Sequence, residues 1–259
     1  MTSRREKHLL STGHGSAVSA LLGLVVIVVP GVAWAGPPYL TDDPDPVEYH
    51  HWELYLGSQW DHIEGRTAEG TLPHLEVNFG VLDGAMLHLL IPAAFVAAPD
   101  GTTAYGLGDV EVGVNIRLLA EGPTWPQIGT FPIAVVPTGS EARGLGSGAA
   151  ELVLPLWLMK RAGPWTFDGG GGVRFAREGE DAELGGFLQR SFGDQVTLGT
   201  EVFVTAPLDG SLARTQLDLA FILDLSDTHH LLFSGGPSFG AVGGYQAYAA
   251  WLVTPNASE

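Results

Sequence analysis

Gly108–Leu118 reads GDVEVGVNIRL, with Val110, Val112, Val114, Ile116 and Leu118 on one parity and Asp109, Glu111, Gly113, Asn115 and Arg117 on the other. A helix would scatter both sets around its circumference, whereas a strand sorts them onto two faces. The apolar face needs either a second sheet or lipid. In an outer-membrane barrel it meets acyl chains while the polar face looks into the lumen.

The same pattern recurs along the chain. Trp52, Leu54, Leu56 and Trp60 oppose Glu53, Tyr55, Gly57 and Gln59, and Leu75, Val77 and Phe79 oppose His74, Glu76 and Asn78. Leu87, Leu89 and Ile91 oppose His88, and Leu152, Leu154, Leu156 and Leu158 oppose Glu151, Val153 and Trp157. Trp165, Phe167, Val173 and Phe175 oppose Asp168 and Arg174, Val202 and Val204 oppose Glu201, and Leu217 and Leu219 oppose Asp218. The parity of the stretch around LGGFLQRS is ambiguous. The count predicts about twelve strands, even as in a bacterial single-chain barrel. Longer links are expected at 61–70, 98–108, 138–148, 177–183 and 206–214, and short ones at 82–84, 161–164 and 193–195. Trp52 and Trp60, eight residues apart on one face, span roughly 27 Å of strand, or roughly 20 Å of height at a tilt of about 40°. That height approaches an apolar band bounded by aromatic girdles.

Among 259 residues there are 36 Gly, 17 Pro and no Cys, which suits many strands joined by turns and excludes a disulfide scaffold or a Cys-based zinc site. Arg4, Arg5 and Lys7 precede an apolar run over Ala17–Val29 and then Ala33-Trp34-Ala35, the pattern of a secretory signal peptide over 1–35. Removing it takes away three basic residues and Glu6, moving the formal charge from −17 to −19. Nucleic acid is excluded as a partner, since phosphate binding needs a basic surface. After the signal we expect a periplasmic lead-in over 36–47, a barrel over 48–253 and a C-terminal tail over 254–259. The expected fold is therefore all-β: a single antiparallel up-and-down transmembrane β-barrel in a Gram-negative outer membrane.

The segment AGPPYLTDDPDPVEYHHWELYLGSQW resembles the start of outer-membrane barrels named for the MetA pathway of phenol degradation. LPHLEVNFGVLDGAMLHLLIP, YGLGDVEVGVNIRLL and GLGSGAAELVLPLWLMK are similar to later landmarks of that family. The resemblance implies a porin-like barrel that passes small, including aromatic, molecules. One departure is that many such barrels end on an aromatic residue, while here eight residues follow Trp251.

Inward parity nominates a lumen-lining set: Glu53, Tyr55, Glu76, Asn78, His88, Asp109, Glu111, Asn115, Arg117, Glu151, Asp168, Arg174, Glu201 and Asp218. Acidic rings favour cations in a wet pore. Small inward residues such as Gly113 and Gly199 argue for an open lumen, and inward bulk at Tyr55, Trp157 and Phe203 argues for a plug. GPSFG at Gly236–Gly240 matches a nucleophile motif, but Ser238 falls inside an alternating strand and no His follows it. No catalytic residue, metal or cofactor is expected. His50-His51 and His229-His230 read as rim histidines rather than zinc ligands, and Asp42, Asp43 and Asp45 lack a calcium-loop pattern. The expected function is a passive channel for small molecules, with membrane lipid, solutes and the outer-membrane assembly machinery as partners. A closed structural barrel with partner-binding loops is the alternative, followed by an outer-membrane lipid hydrolase.

Overall fold

A computed structural model describes residues 38–64, 68–241 and 243–255. The segment expected as a signal peptide, and the tail beyond 255, lie outside the described residues. Fourteen strands run in chain order: β1 (Trp52–Ile63), β2 (Ala68–Leu82), β3 (Ala85–Ala97), β4 (Thr103–Leu107), β5 (Val110–Leu119), β6 (Gln127–Thr130), β7 (Ile133–Val136), β8 (Glu151–Ala162), β9 (Trp165–Ala176), β10 (Gly179–Phe192), β11 (Val196–Pro207), β12 (Arg214–Ser226), β13 (His229–Gly240) and β14 (Gly244–Val253). Every pairing between these strands is antiparallel, and β1 joins both β2 and β14, with Trp60 opposite Ala247 at the seam. β4 and β5 both pair with β3, while β6 and β7 both lie between β5 and β8. Each of these two pairs is one stave interrupted midway, so the barrel has twelve staves, and it is closed.

The alternation translates directly into burial. On β12, Leu219 is 73 % exposed while its neighbour Asp218 is 2 % exposed. On β8, Leu152, Leu154, Leu156 and Leu158 face out while Val153, Trp157 and Met159 are buried. In water this would invert the hydrophobic effect at every second residue, whereas in lipid it satisfies it. Closure pairs the backbone groups that a bilayer would otherwise leave unsatisfied. Aromatic residues mark the ends of the belt: Trp52 stacks on Phe79 at 4.2 Å, and Trp60 meets Phe95 at 5.1 Å. Arg190 lies over Trp165 and Phe192 at 5.2 and 4.7 Å, a cation in the interfacial girdle. Among the described residues no helix is long and apolar enough to cross a membrane.

Three local features interrupt or extend the simple alternation. Gly108 and Asp109 are not the start of one continuous strand but the break between β4 and β5. The fifth stave is broken at Phe131-Pro132, because proline has no N–H for the ladder. The long outer link expected at 177–183 is a two-residue turn between β9 and β10. Its Glu and Gly residues read as a loop, yet pairing continues there from Gly179 opposite Ala176. The link at 138–148 is a true loop and contains a short 3₁₀ turn at Glu141–Arg143.

Candidate functional site

The described part of the lead-in expected on the periplasmic side, residues 38–47, lies inside the barrel. Pro38, Pro44 and Pro46 cannot donate to a ladder, so the segment needs other partners for its backbone. Inward side chains of the wall supply them. The Glu201 carboxylate accepts from the backbone N–H of Leu40 at 2.9 Å and of Thr41 at 2.6 Å. Asn115 donates to the Asp43 carbonyl at 2.8 Å, Gln127 donates to the Pro44 carbonyl at 2.8 Å, and the Ser234 hydroxyl donates to the Pro38 carbonyl. Tyr39 stacks on Phe187 at 4.1 Å with the rings 6° from parallel.

Three glycines make room for this plug. A Cβ at Gly199 would collide with the Tyr39 hydroxyl, one at Gly185 with the Thr41 side chain, and one at Gly129 with Pro44. The small inward residue Gly199, expected to keep a lumen open, is instead a seat for the segment that fills it. Gly113 packs against Phe131 in the same way.

At the strand ends the plug is latched by charge. Asp45 pairs with Arg161 and, at 3.6 Å, with Arg117, which also reaches Asp83 at 3.1 Å. Gln127 donates to Asp45 at 3.0 Å. The chain then turns into β1, with the His50 N–H bonded to the Gly80 carbonyl at 2.8 Å. Burial, with repulsion from Glu111, Glu183 and Glu201, pushes the Asp42 carboxyl up to about 7. Burial and the neighbouring Asp45 raise Asp43 as well.

Beside the plug is a cavity of about 340 Å³, bordered by Tyr39, Asp42, Glu53, Tyr55, Glu76, Asn78, His88, Glu111, Trp157, Arg174, Glu183 and Tyr248, among others. A second, of about 790 Å³, opens at the strand ends among Glu48, Trp52, Asp83, Arg117, Arg161 and Thr254. Asp45 borders both.

The fourteen nominated residues therefore divide. Glu53, Tyr55, Glu76, Asn78, His88, Glu111 and Arg174 border the smaller cavity. Asn115 and Glu201 hold the plug, although Asn115 also borders that cavity, and Arg117 belongs to the latch. Glu151 bonds Arg174 at 3.0 Å, and Asp218 accepts from Gln216 at 2.7 Å. Asp168 is buried on the inner wall of β9. Asp109 does something else: from the strand break it accepts from the N–H groups of Gly139 at 2.8 Å and Ser147 at 2.7 Å, which ties down the 137–150 loop. Parity alone missed Gln127, Ser234, Glu183 and the acids of the plug. For the plug acids the reason is that strand periodicity says nothing about a segment that is not a strand.

Ser238 of GPSFG is buried within β13, with Arg214 at 3.4 Å, and among the described residues no helix follows it. The histidine pairs have separate partners: His50 stacks on Tyr49 at 3.8 Å, and His230 bonds Asp224 at 2.6 Å.

No model of a known protein family and no curated relative matches the chain. In fold it is similar to the COG4313 outer membrane channel from Pseudomonas putida F1, with a TM-score of 0.68 and 12% identity, covering 82% of this chain and 98% of that one. It is also similar to the KdgM porin solved with disordered oligogalacturonate, with a TM-score of 0.54 and 10% identity, covering 77% and 98%. A second KdgM porin structure gives a TM-score of 0.52 at 8% identity, covering 77% of this chain and 98% of that one. At such identities the likeness is one of architecture, and that architecture is the outer-membrane β-barrel.

Proposed function

We propose that this chain is an outer-membrane channel for passive passage of small molecules, held nearly shut by its own N-terminal segment. The observation that carries the reading is the way the interior is filled. A packed apolar core would be a dead end, but here a polar-lined barrel contains a cavity and a peptide held by a few hydrogen bonds and one charge latch. Each neutral bond contributes only about 0.5–1.5 kcal/mol net, and bonds to charged groups about 1.5–3. Such a plug can leave its seat without unfolding the wall. Both solved relatives described above are named as a channel or a porin, which favours this reading. The resemblance to barrels of the MetA pathway extends it to small aromatic solutes.

The test is planar-bilayer conductance of the refolded protein. We expect small, infrequent steps, and larger or longer ones when Glu201→Ala removes two plug anchors. The burial of the plug favours a second reading, a closed structural barrel. Absence of discrete steps in both proteins would establish that reading and remove the channel.

A further inference from the structure

We infer that the 340 Å³ cavity is a binding site for a small organic cation, an ammonium head on an apolar or aromatic body. This names the solute class for the path proposed above and rests on that reading of the interior as a solute route.

The charge of the walls is one-sided. Seven carboxylates border the cavity against one guanidinium, Arg174, which already bonds Glu183 at 2.6 Å and Glu151 at 3.0 Å. Among the described residues no Lys or Arg pairs with Asp42, Glu53, Glu76 or Glu111. Low-dielectric surroundings make such a set costly to hold without positive charge nearby.

Two buried side chains supply an independent observation. Glu76 accepts from the Asn78 amide N–H at 2.9 Å, which leaves the Asn78 carbonyl oxygen facing His88 Nδ1 at 2.8 Å. A carbonyl only accepts, so with the amide in this orientation Nδ1 carries the hydrogen and His88 Nε2 presents a lone pair. That Nε2 is buried, has no partner among the described residues, and belongs to a residue bordering the cavity. Asn115 repeats the arrangement. Its amide N–H donates to the Asp43 carbonyl, which leaves a buried Oδ1 with no partner among the described residues. The Trp157 indole N–H and the Tyr39 and Tyr248 hydroxyls are left over as well among the described residues, but the two groups whose roles the hydrogen bonds fix as open acceptors, His88 Nε2 and Asn115 Oδ1, call for donors from a fitting ligand.

The remaining walls select the body of that ligand. Tyr55, Phe131, Trp157 and Tyr248 give the cavity aromatic faces, which attract cations and pack apolar groups. Among the described residues no group of three or more His, Asp or Glu converges to hold a metal ion. An inorganic cation would leave the aromatic walls without a role, and an anion would face repulsion. The volume lies at the small end of the range for ligand pockets, about 300–1,000 Å³.

The test is calorimetric titration of the refolded, detergent-solubilised full protein at pH 8 with three probes of similar shape. These are phenethylammonium, neutral 2-phenylethanol and anionic phenylacetate. Phenethylammonium should bind at least about tenfold more tightly than 2-phenylethanol, the scale of a charge-assisted hydrogen bond. Phenylacetate should bind more weakly than either. Glu111→Gln should cost the cation about tenfold. Glu111→Lys should shift preference towards phenylacetate, a gain that misfolding cannot mimic. Equal affinity for amine and alcohol, or tighter binding of the acid to the unaltered protein, would overturn the inference. Conductance separates the two proposals. A protein that binds the amine and never conducts loses the channel reading and keeps the site. One that conducts with no amine preference keeps the channel and loses the site.

Discussion

A single missing side chain at Gly199 shapes the interior. The ring of Tyr39 occupies the space where a Cβ would stand, and Tyr39 in turn stacks on Phe187. Gly199→Leu should therefore displace Tyr39 rather than the wall, since β11 is paired on both sides. We expect a loss of about 1–3 kcal/mol, the usual penalty for overpacking, measured by urea unfolding in micelles. Conductance should rise in the same variant. If stability fell and conductance did not change, Tyr39 would be shown to matter for packing alone. Residues of this kind are legible in sequence only as small and inward. GDVEVGVNIRL showed that Gly113 faced in, but not that Phe131 would lie against it.

The plug is the element whose behaviour depends on acidity. Asp42 is pushed up to about 7, by burial first, and Asp43 is raised too. A seated plug therefore binds more protons than a released one between the ordinary carboxylate range and about 7. Seating strengthens on acidification and weakens as pH rises through that window. Single-channel recordings should show higher open probability at pH 8 than at pH 5, and Asp42→Asn should reduce the difference. A pH response of opposite sign would contradict the assignment. The strands were readable because alternate residues meet two different solvents, as Leu219 and Asp218 illustrate. PPYLTDDPDPV was not, because its prolines and acids carry no period and its partners lie far along the chain. The turn at 177–178 was hidden for a different reason. Glu178, Gly179 and Glu180 look like a loop, but outside the bilayer a ladder tolerates charge.

For the whole molecule, the acidic interior sets the sign of selectivity. The formal charge of the full chain is −17, and many of its carboxylates face inward. In a potassium chloride gradient the reversal potential should report cation preference. That preference should shrink as salt is raised from about 0.1 M to about 1 M, where the screening length falls from about 10 to about 3 Å. Anion preference would remove the electrostatic account of the lumen. Closure at the β1–β14 seam and the number of staves followed from counting alternations. Which inward residues would border the cavity depended on where the plug runs, so that division appeared only in three dimensions.

The plug's anchors also constrain the order of events in folding. Leu40 is 161 positions from Glu201, and Pro38 is 196 from Ser234. Contacts so distant carry a high entropic cost of loop closure and form late. Substitutions at Glu201 or Ser234 should accordingly speed unfolding in a denaturant-jump experiment while leaving the refolding limb almost unmoved. The local hairpins of the wall would assemble first, while closure at the β1–β14 seam, whose partners are as far apart in sequence, and the seating of the leading residues would come last.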